Sequence, residues 1–207
     1  MHDSSAARPA VDLEAFLAEL QVEFPRFRIV PKRGNALSRV IDVLLRIVTF
    51  GGMRTFMTEY HTVLGETLYV SNSWHYMREV DKVILLRHER VHLRQKRRYT
   101  FLGMAFIYLV PWFPLGLAYG RARLEWEAYA ETLRATHELL GPRAAHNPHL
   151  RQHIVRRFCG PDYGWMWPFP RQVSQWYDET LATLTPWPPP PSSPARHSTS
   201  NDGPPVA

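Results

Sequence analysis

Three side chains within five residues carry the reactive chemistry of this sequence: His88, Glu89 and His92, in Arg87-His88-Glu89-Arg90-Val91-His92-Leu93. Imidazoles bind zinc and a carboxylate can act as a base, but the combination has meaning only if the two histidines share a face. The run from about Met77 to Arg98 reads as one helix. At 100° per residue Val80, Ile84, His88, Val91, His92 and Gln95 form one stripe. Arg87, Arg90, Arg94, Arg97 and Arg98 fall mostly on the other side, which is expected to be solvated. His88 and His92 are then one turn apart and can offer nitrogens to a single ion. Glu89, one step round, sits beside that ion and can take a proton from water bound there. The alternative is two core histidines satisfied by neighbouring carboxylates.

A third ligand is sought on the next clear helix, Arg121 to Leu140, which Gly141-Pro142 stops. Glu125 shares a stripe with Ala122, Tyr129, Leu133, Thr136 and Leu140, whereas Glu127 and Glu131 share a face with Arg134 and Glu138. A carboxylate on an apolar stripe is costly unless it meets a cation. Glu125 is therefore the expected third ligand, with Glu127 and Glu131 on the solvated side, where they can form ion pairs.

The elements that must position these residues are legible in the same way. Val11 to Phe24 has an amphipathic helix pattern and Phe27 to Val30 suits a short strand. Leu37 to Phe50 reads as a second helix ending at Gly51-Gly52. From Arg54 to Ser71 the period changes to two, with Leu64-Gly65-Glu66 at the turn, which predicts a β-hairpin leading into the motif helix. The edge of such a hairpin can hold an extended peptide as an added strand, or the hairpin is an ordinary part of the scaffold. Ser73 is the expected N-cap of the motif helix. Beyond Pro142, His149 to Phe158 and Gln172 to Leu184 read as helices. Between them lies an aromatic loop with Tyr163, Trp165, Trp167 and Phe169.

His88-Glu89-x-x-His92, followed 33 residues after His92 by Glu125-Trp126-Glu127-Ala128-Tyr129, resembles the gluzincin branch of the zincin metallopeptidases. It is most similar to the group whose second motif is E-x-x-A-D, as in prenyl-CaaX-type proteases. The resemblance implies that His88, His92 and Glu125 bind Zn2+ and that Glu89 polarises the attacking water. Ala128 matches the small residue of the second motif, whereas Tyr129 stands where that family has Asp. The pattern also fits two residues later, as Glu127-x-x-Ala130-Glu131, and only the helical wheel decides against that register. The expected molecule is an α+β, mostly helical, zincin-like domain over residues 1–184, hydrolysing a peptide or protein substrate. Tyr119, Tyr129, His61 and His75 are unranked candidates for stabilising the oxyanion. The other readings are a non-enzymatic protein whose zinc site is closed by His61 or His75, and a membrane-associated protein with a vestigial site.

Composition sets the outer limits. The net charge is +6 and the pI near 9.7, but 22 of the 25 basic residues are Arg, spread along the chain without a nucleic-acid-binding motif. Nucleic acid is therefore not the expected partner. Cys159 is the only cysteine, which excludes an intrachain disulfide and a Cys-based zinc site. Met1 to Ala10 lacks a secretory pattern, so the expected location is cytoplasmic. Phe101 to Tyr119 carries no charge, but Pro111 and Pro114 break it into pieces too short to span a bilayer. A buried helix covering the motif helix is the expected role of 101–119. A peripheral membrane contact is the other, given the flanking Arg97-Arg98 and the aromatics Trp112, Phe113 and Tyr119. Residues 185–207 hold eight prolines and are expected to be disordered.

Overall fold

The computed structural model describes residues 11–32, 61–109, 119–160 and 166–184. The expected helix at Leu37 to Phe50, the first part of the hairpin, the loop residues 161–165 and the Pro-rich tail lie outside the described residues. What is described is a mostly helical α+β architecture with a small three-stranded sheet. Among the described residues no helix is long and apolar enough to cross a membrane.

Helix α1 spans Leu13–Glu23 and begins where Asp12 accepts a hydrogen bond from the Ala15 N–H at 2.9 Å, satisfying one otherwise orphan donor. A short turn then leads into β1, Arg28–Pro31. Strands β2, Thr62–Leu64, and β3, Thr67–Val70, form the hairpin. The turn between them needs Gly65, whose φ of 69° falls in the left-handed region. β3 is the central strand and is buried along its length; β1 pairs with it in parallel, Arg28 opposite Thr67, and β2 antiparallel, Val63 opposite Leu68.

A 3-10 helix, Asn72–Tyr76, links β3 to the motif helix α2, Glu79–Leu109. Ser73 is not the N-cap expected of it. It lies inside the 3-10 turn, with its hydroxyl on that of Ser71 at 2.7 Å, and α2 starts six residues later. Helix α2 runs past the expected Arg98 end but breaks at Thr100, whose φ is 61°. Helix α3 is Tyr119–Leu140, followed by the short α4, Pro142–Ala145, then α5, Pro148–Cys159, and α6, Pro170–Ala182. Proline opens each of the last three at its first turn, where a missing N–H costs nothing.

Two apolar cores result. Leu20, Phe24 and Phe27 pack with Leu68 and Val70 of β3 and with Leu86 and Leu93 of α2. On the other side Ala122 and Leu133 of α3 pack with Ala145, Ile154, Phe158, Met166, Val173, Tyr177 and Leu181. The seam between α2 and α3 therefore lies between the cores. Trp167, from the aromatic loop, packs edge-on against Trp126 at 5.3 Å.

The arginine face of α2 is not simply solvated, contrary to the helical-wheel expectation. Arg90 and Arg94 both grip the Glu23 carboxylate at the end of α1, through N···O distances of 2.5 to 3.0 Å. Arg97 donates to the Glu23 carbonyl at 2.6 Å and lies 4.1 Å from the Phe24 ring centroid. Arg87 turns the other way, to Glu131 at 2.6 Å and Glu138 at 2.5 Å on α3. Glu131 and Glu138 thus serve in a bridge between helices. The wheel separates polar from apolar but cannot distinguish a polar face in water from one docked on oppositely charged neighbours.

Candidate metal centre

The geometry of the seam follows from two helices presenting complementary stripes. α2 buries Val83, Leu86, Glu89 and Leu93, of which Leu86 and Leu93 pack with α1 and the sheet, and His88, His92 and Gln95 lie on the flank towards α3. From α3, Glu125 meets them at 4% exposure, while Glu127, two residues on, is exposed. His88, His92 and Glu125 each offer one ligand atom, all within 4.8 Å of one another. The Nε2 atoms of the two histidines are 3.2 Å apart, and Glu125 Oε2 lies 3.8 Å from that of His88 and 3.7 Å from that of His92.

The outer nitrogens explain why those Nε2 atoms converge. Thr132 Oγ1 donates to the Ala128 carbonyl at 3.2 Å, so its remaining role towards His88 Nδ1, at 2.9 Å, is to accept. Gln95 Nε2 donates to the Leu124 carbonyl at 3.0 Å and to Glu127 Oε2 at 2.9 Å, which turns its Oε1 towards His92 Nδ1 at 2.9 Å. Both rings therefore carry a proton on Nδ1 and aim Nε2 at each other and at a carboxylate. Two lone pairs at 3.2 Å repel unless a cation lies between them.

Without a metal, that cation is a proton. Burial opposes charge on His92, but the carboxylates of Glu125 and Glu89 and the Gln95 oxygen outweigh it and raise its pKa to about 9. Burial and then the charge on His92 push His88 down to about 3. Glu89 is buried at 7% exposure. Burial and then Glu125 raise its pKa to about 7, against opposing pulls from His92 and Lys32.

The donor set fits zinc. Two imidazole nitrogens and a carboxylate are the donors of catalytic zinc sites. Bonds of ~2.0–2.1 Å at tetrahedral angles place ligand atoms ~3.3 Å apart, within roughly half an ångström of each spacing here. The hydrogen bonds to Nδ1 are the second layer such sites use to fix ring orientation. Here Thr132 and Gln95 stand in that position, behind His88 and His92.

The four oxyanion candidates are placed differently. Tyr129 stacks edge-on against His88 with centroids 4.9 Å apart. Tyr119 packs on Trp167 at 5.7 Å and is 45% exposed. His61 accepts from the Ser71 N–H at 3.4 Å and packs on Trp74, and burial followed by Lys32 lowers its pKa to about 4. His75 is exposed on the 3-10 helix.

Sequence reasoning gave no role to Gln95, Thr132 or Lys32. Gln95 follows His92 by three and Thr132 follows Glu125 by seven, spacings that return to the same helix face and contained the signal. Lys32, 1% exposed just past β1, had no such signal, because it is brought to the site by a parallel pairing across distant sequence. No protein-family model, curated protein or solved structure matches this chain.

Proposed function

We propose that this chain is a zinc-dependent metallopeptidase of the gluzincin type, with His88, His92 and Glu125 as metal ligands and Glu89 as general base. The observation that supports this reading is the convergence of two Nε2 atoms on the Glu125 carboxylate, each ring held from behind by an acceptor. Zinc held there supplies Lewis acidity, making water acidic enough to attack near neutral pH. Glu89 follows His88 on the helix, and its buried carboxylate takes a proton from the attacking water. As the water oxygen bonds to the peptide carbon and the C–N bond breaks, Glu89 passes that proton to the amine nitrogen. Tyr129 is the oxyanion candidate we favour, because it alone of the four has a described ring contact with a ligand histidine.

A peptide substrate is supported by the sheet. β2 lies against α2, and among the described residues it pairs with β3 alone, so its other edge offers backbone groups to an extended chain. The closed four-ligand reading is less well supported. Among the described residues the cluster has three members, and His61 spends Nδ1 on Ser71.

Glu89→Gln tests the proposal. It keeps size and removes the base, so zinc content and melting temperature should stay as in wild type. Cleavage of a peptide library read by mass spectrometry should fall at least ~100-fold, the scale of general-base catalysis. Wild-type cleavage by the variant would rule Glu89 out as the base.

A further inference from the structure

The first turn of α2 carries a cation that the metal centre does not absorb. Lys82 is half-buried, with its Nζ over the Trp74 ring at 5.5 Å from the centroid. The negative face of the indole holds the ammonium there without occupying its N–H donors in an ion pair. Among the described residues Lys82 forms no ion pair. Asp81 beside it is held by Arg78 at 2.7 and 2.9 Å, and Glu79, one turn earlier, is exposed.

The same indole anchors a donor from the sheet. His61 packs on Trp74 with ring centroids 5.9 Å apart, and its Nδ1 accepts from the Ser71 N–H at 3.4 Å. Burial and then the charge of Lys32 keep the imidazole neutral, so its one proton sits on Nε2, which has no hydrogen-bond partner among the described residues. Val63 of β2 and Trp74 both pack on the core cluster that holds Leu86 and Leu93 of α2, so the start of β2, the indole and this face of α2 meet. Glu89 belongs to that face. Seven residues of helix from Lys82 to Glu89 rise ~10 Å and return to within ~20° of the same direction. Lys82 and His61 therefore share one aromatic ring about two turns before the residue we propose as base, beside the strand whose outer edge we propose for the peptide.

We infer that Lys82 and His61 bind a carboxylate of the peptide substrate, an acidic side chain or the free C-terminus, about three residues from the bond that is cleaved. An extended chain covers ~10 Å in three residues, which matches the rise from Lys82 to Glu89 along the helix. Lys82 supplies the charge and His61 a neutral donor, so the pair favours an anion and repels a lysine or arginine in its place. The inference rests on the peptidase reading and deepens it by naming the class of substrate.

Cleavage of a peptide library by the full chain with zinc supplied, read by mass spectrometry, tests it. One series exchanges Asp and Glu for Asn and Gln at each position. A second carries the C-terminus as acid or as amide, which separates the two sources of the carboxylate. Wild type should favour one carboxylate form over its neutral counterpart ~10-fold in kcat/KM, chiefly through KM, the low end for a hydrogen bond to a charged group. Lys82→Gln and His61→Phe should each reduce that preference, Lys82→Arg should keep it, and Lys82→Glu should reverse it in favour of basic peptides. A purely structural role for Lys82 would not produce the reversal. Cleavage indifferent to carboxylates, or a preference that Lys82→Glu leaves unchanged, overturns the inference and leaves the peptidase reading standing. If wild type cleaves no peptide at all, the peptidase reading falls and takes the inference with it.

Discussion

Glu23→Gln should destabilise this protein more than a substitution at the end of a surface helix ordinarily does. Its carboxylate receives Nε and Nη2 of both Arg90 and Arg94 within 3.0 Å, with the side chain 23% exposed. The Arg94 hydrogen bond leads in lowering the Glu23 pKa from 4.5 to about 2, and Arg90 adds to it against the effect of burial. A shift of that size corresponds to ~3 kcal/mol at most, at 1.36 kcal/mol per unit. Arg94 is 56% exposed, so solvent screening reduces the expected loss to about 2 kcal/mol. For a chain of this length that lowers the melting temperature by ~4–8 °C. Because the folded pKa is depressed, the contribution is fully present above 4.5 and disappears as pH falls through about 2. Thermal or urea denaturation of both proteins from neutral pH down to pH 2 gives the comparison. The gap between them should be constant near neutrality and close in acid. Equal midpoints at neutral pH would refute the clamp, and a gap unchanged in acid would show that the loss came from packing rather than charge.

The other substitutions address the seam. Glu125→Ala should weaken zinc affinity by orders of magnitude, because it removes the anionic member of a three-ligand set, whereas Glu127→Ala, acting only through Gln95, should cost a few-fold. Competition with a chelating dye reads both, and the reverse ranking would mean that Glu127 is the ligand. Thr132→Val and Gln95→Leu, which free the Nδ1 atoms of His88 and His92, should each lower zinc affinity ~10–100-fold with the ligands intact. Wild-type affinity in both would mean that the rings are oriented by packing alone.

Much of this arrangement could be read from periodicity and little of it from composition. The histidine pair, the burial of Glu125 and the exposure of Glu127 are consequences of 100° steps along two helices, which sequence states directly. The hairpin was legible because Gly65 must take a positive φ between two alternating runs. The parallel partnership of β1 with β3 was not, since a four-residue strand carries no information about a partner some 40 positions away. The arginine clamp on Glu23 was hidden for the same reason: Arg90 and Arg94 look like a solvated face until α1 is placed. Ser73 satisfied the local rule for a cap, but the 3-10 turn consumed it first.

Metal analysis of the purified full-length protein by plasma mass spectrometry tests the central claim most directly. The converging Nε2 atoms and the Glu125 carboxylate predict about one zinc per chain, removed by a chelator and restored by adding zinc back. A correctly folded protein that contains no metal and takes up none when zinc is supplied would contradict it, and would leave His88 and His92 as a buried pair sharing one proton beside Glu125.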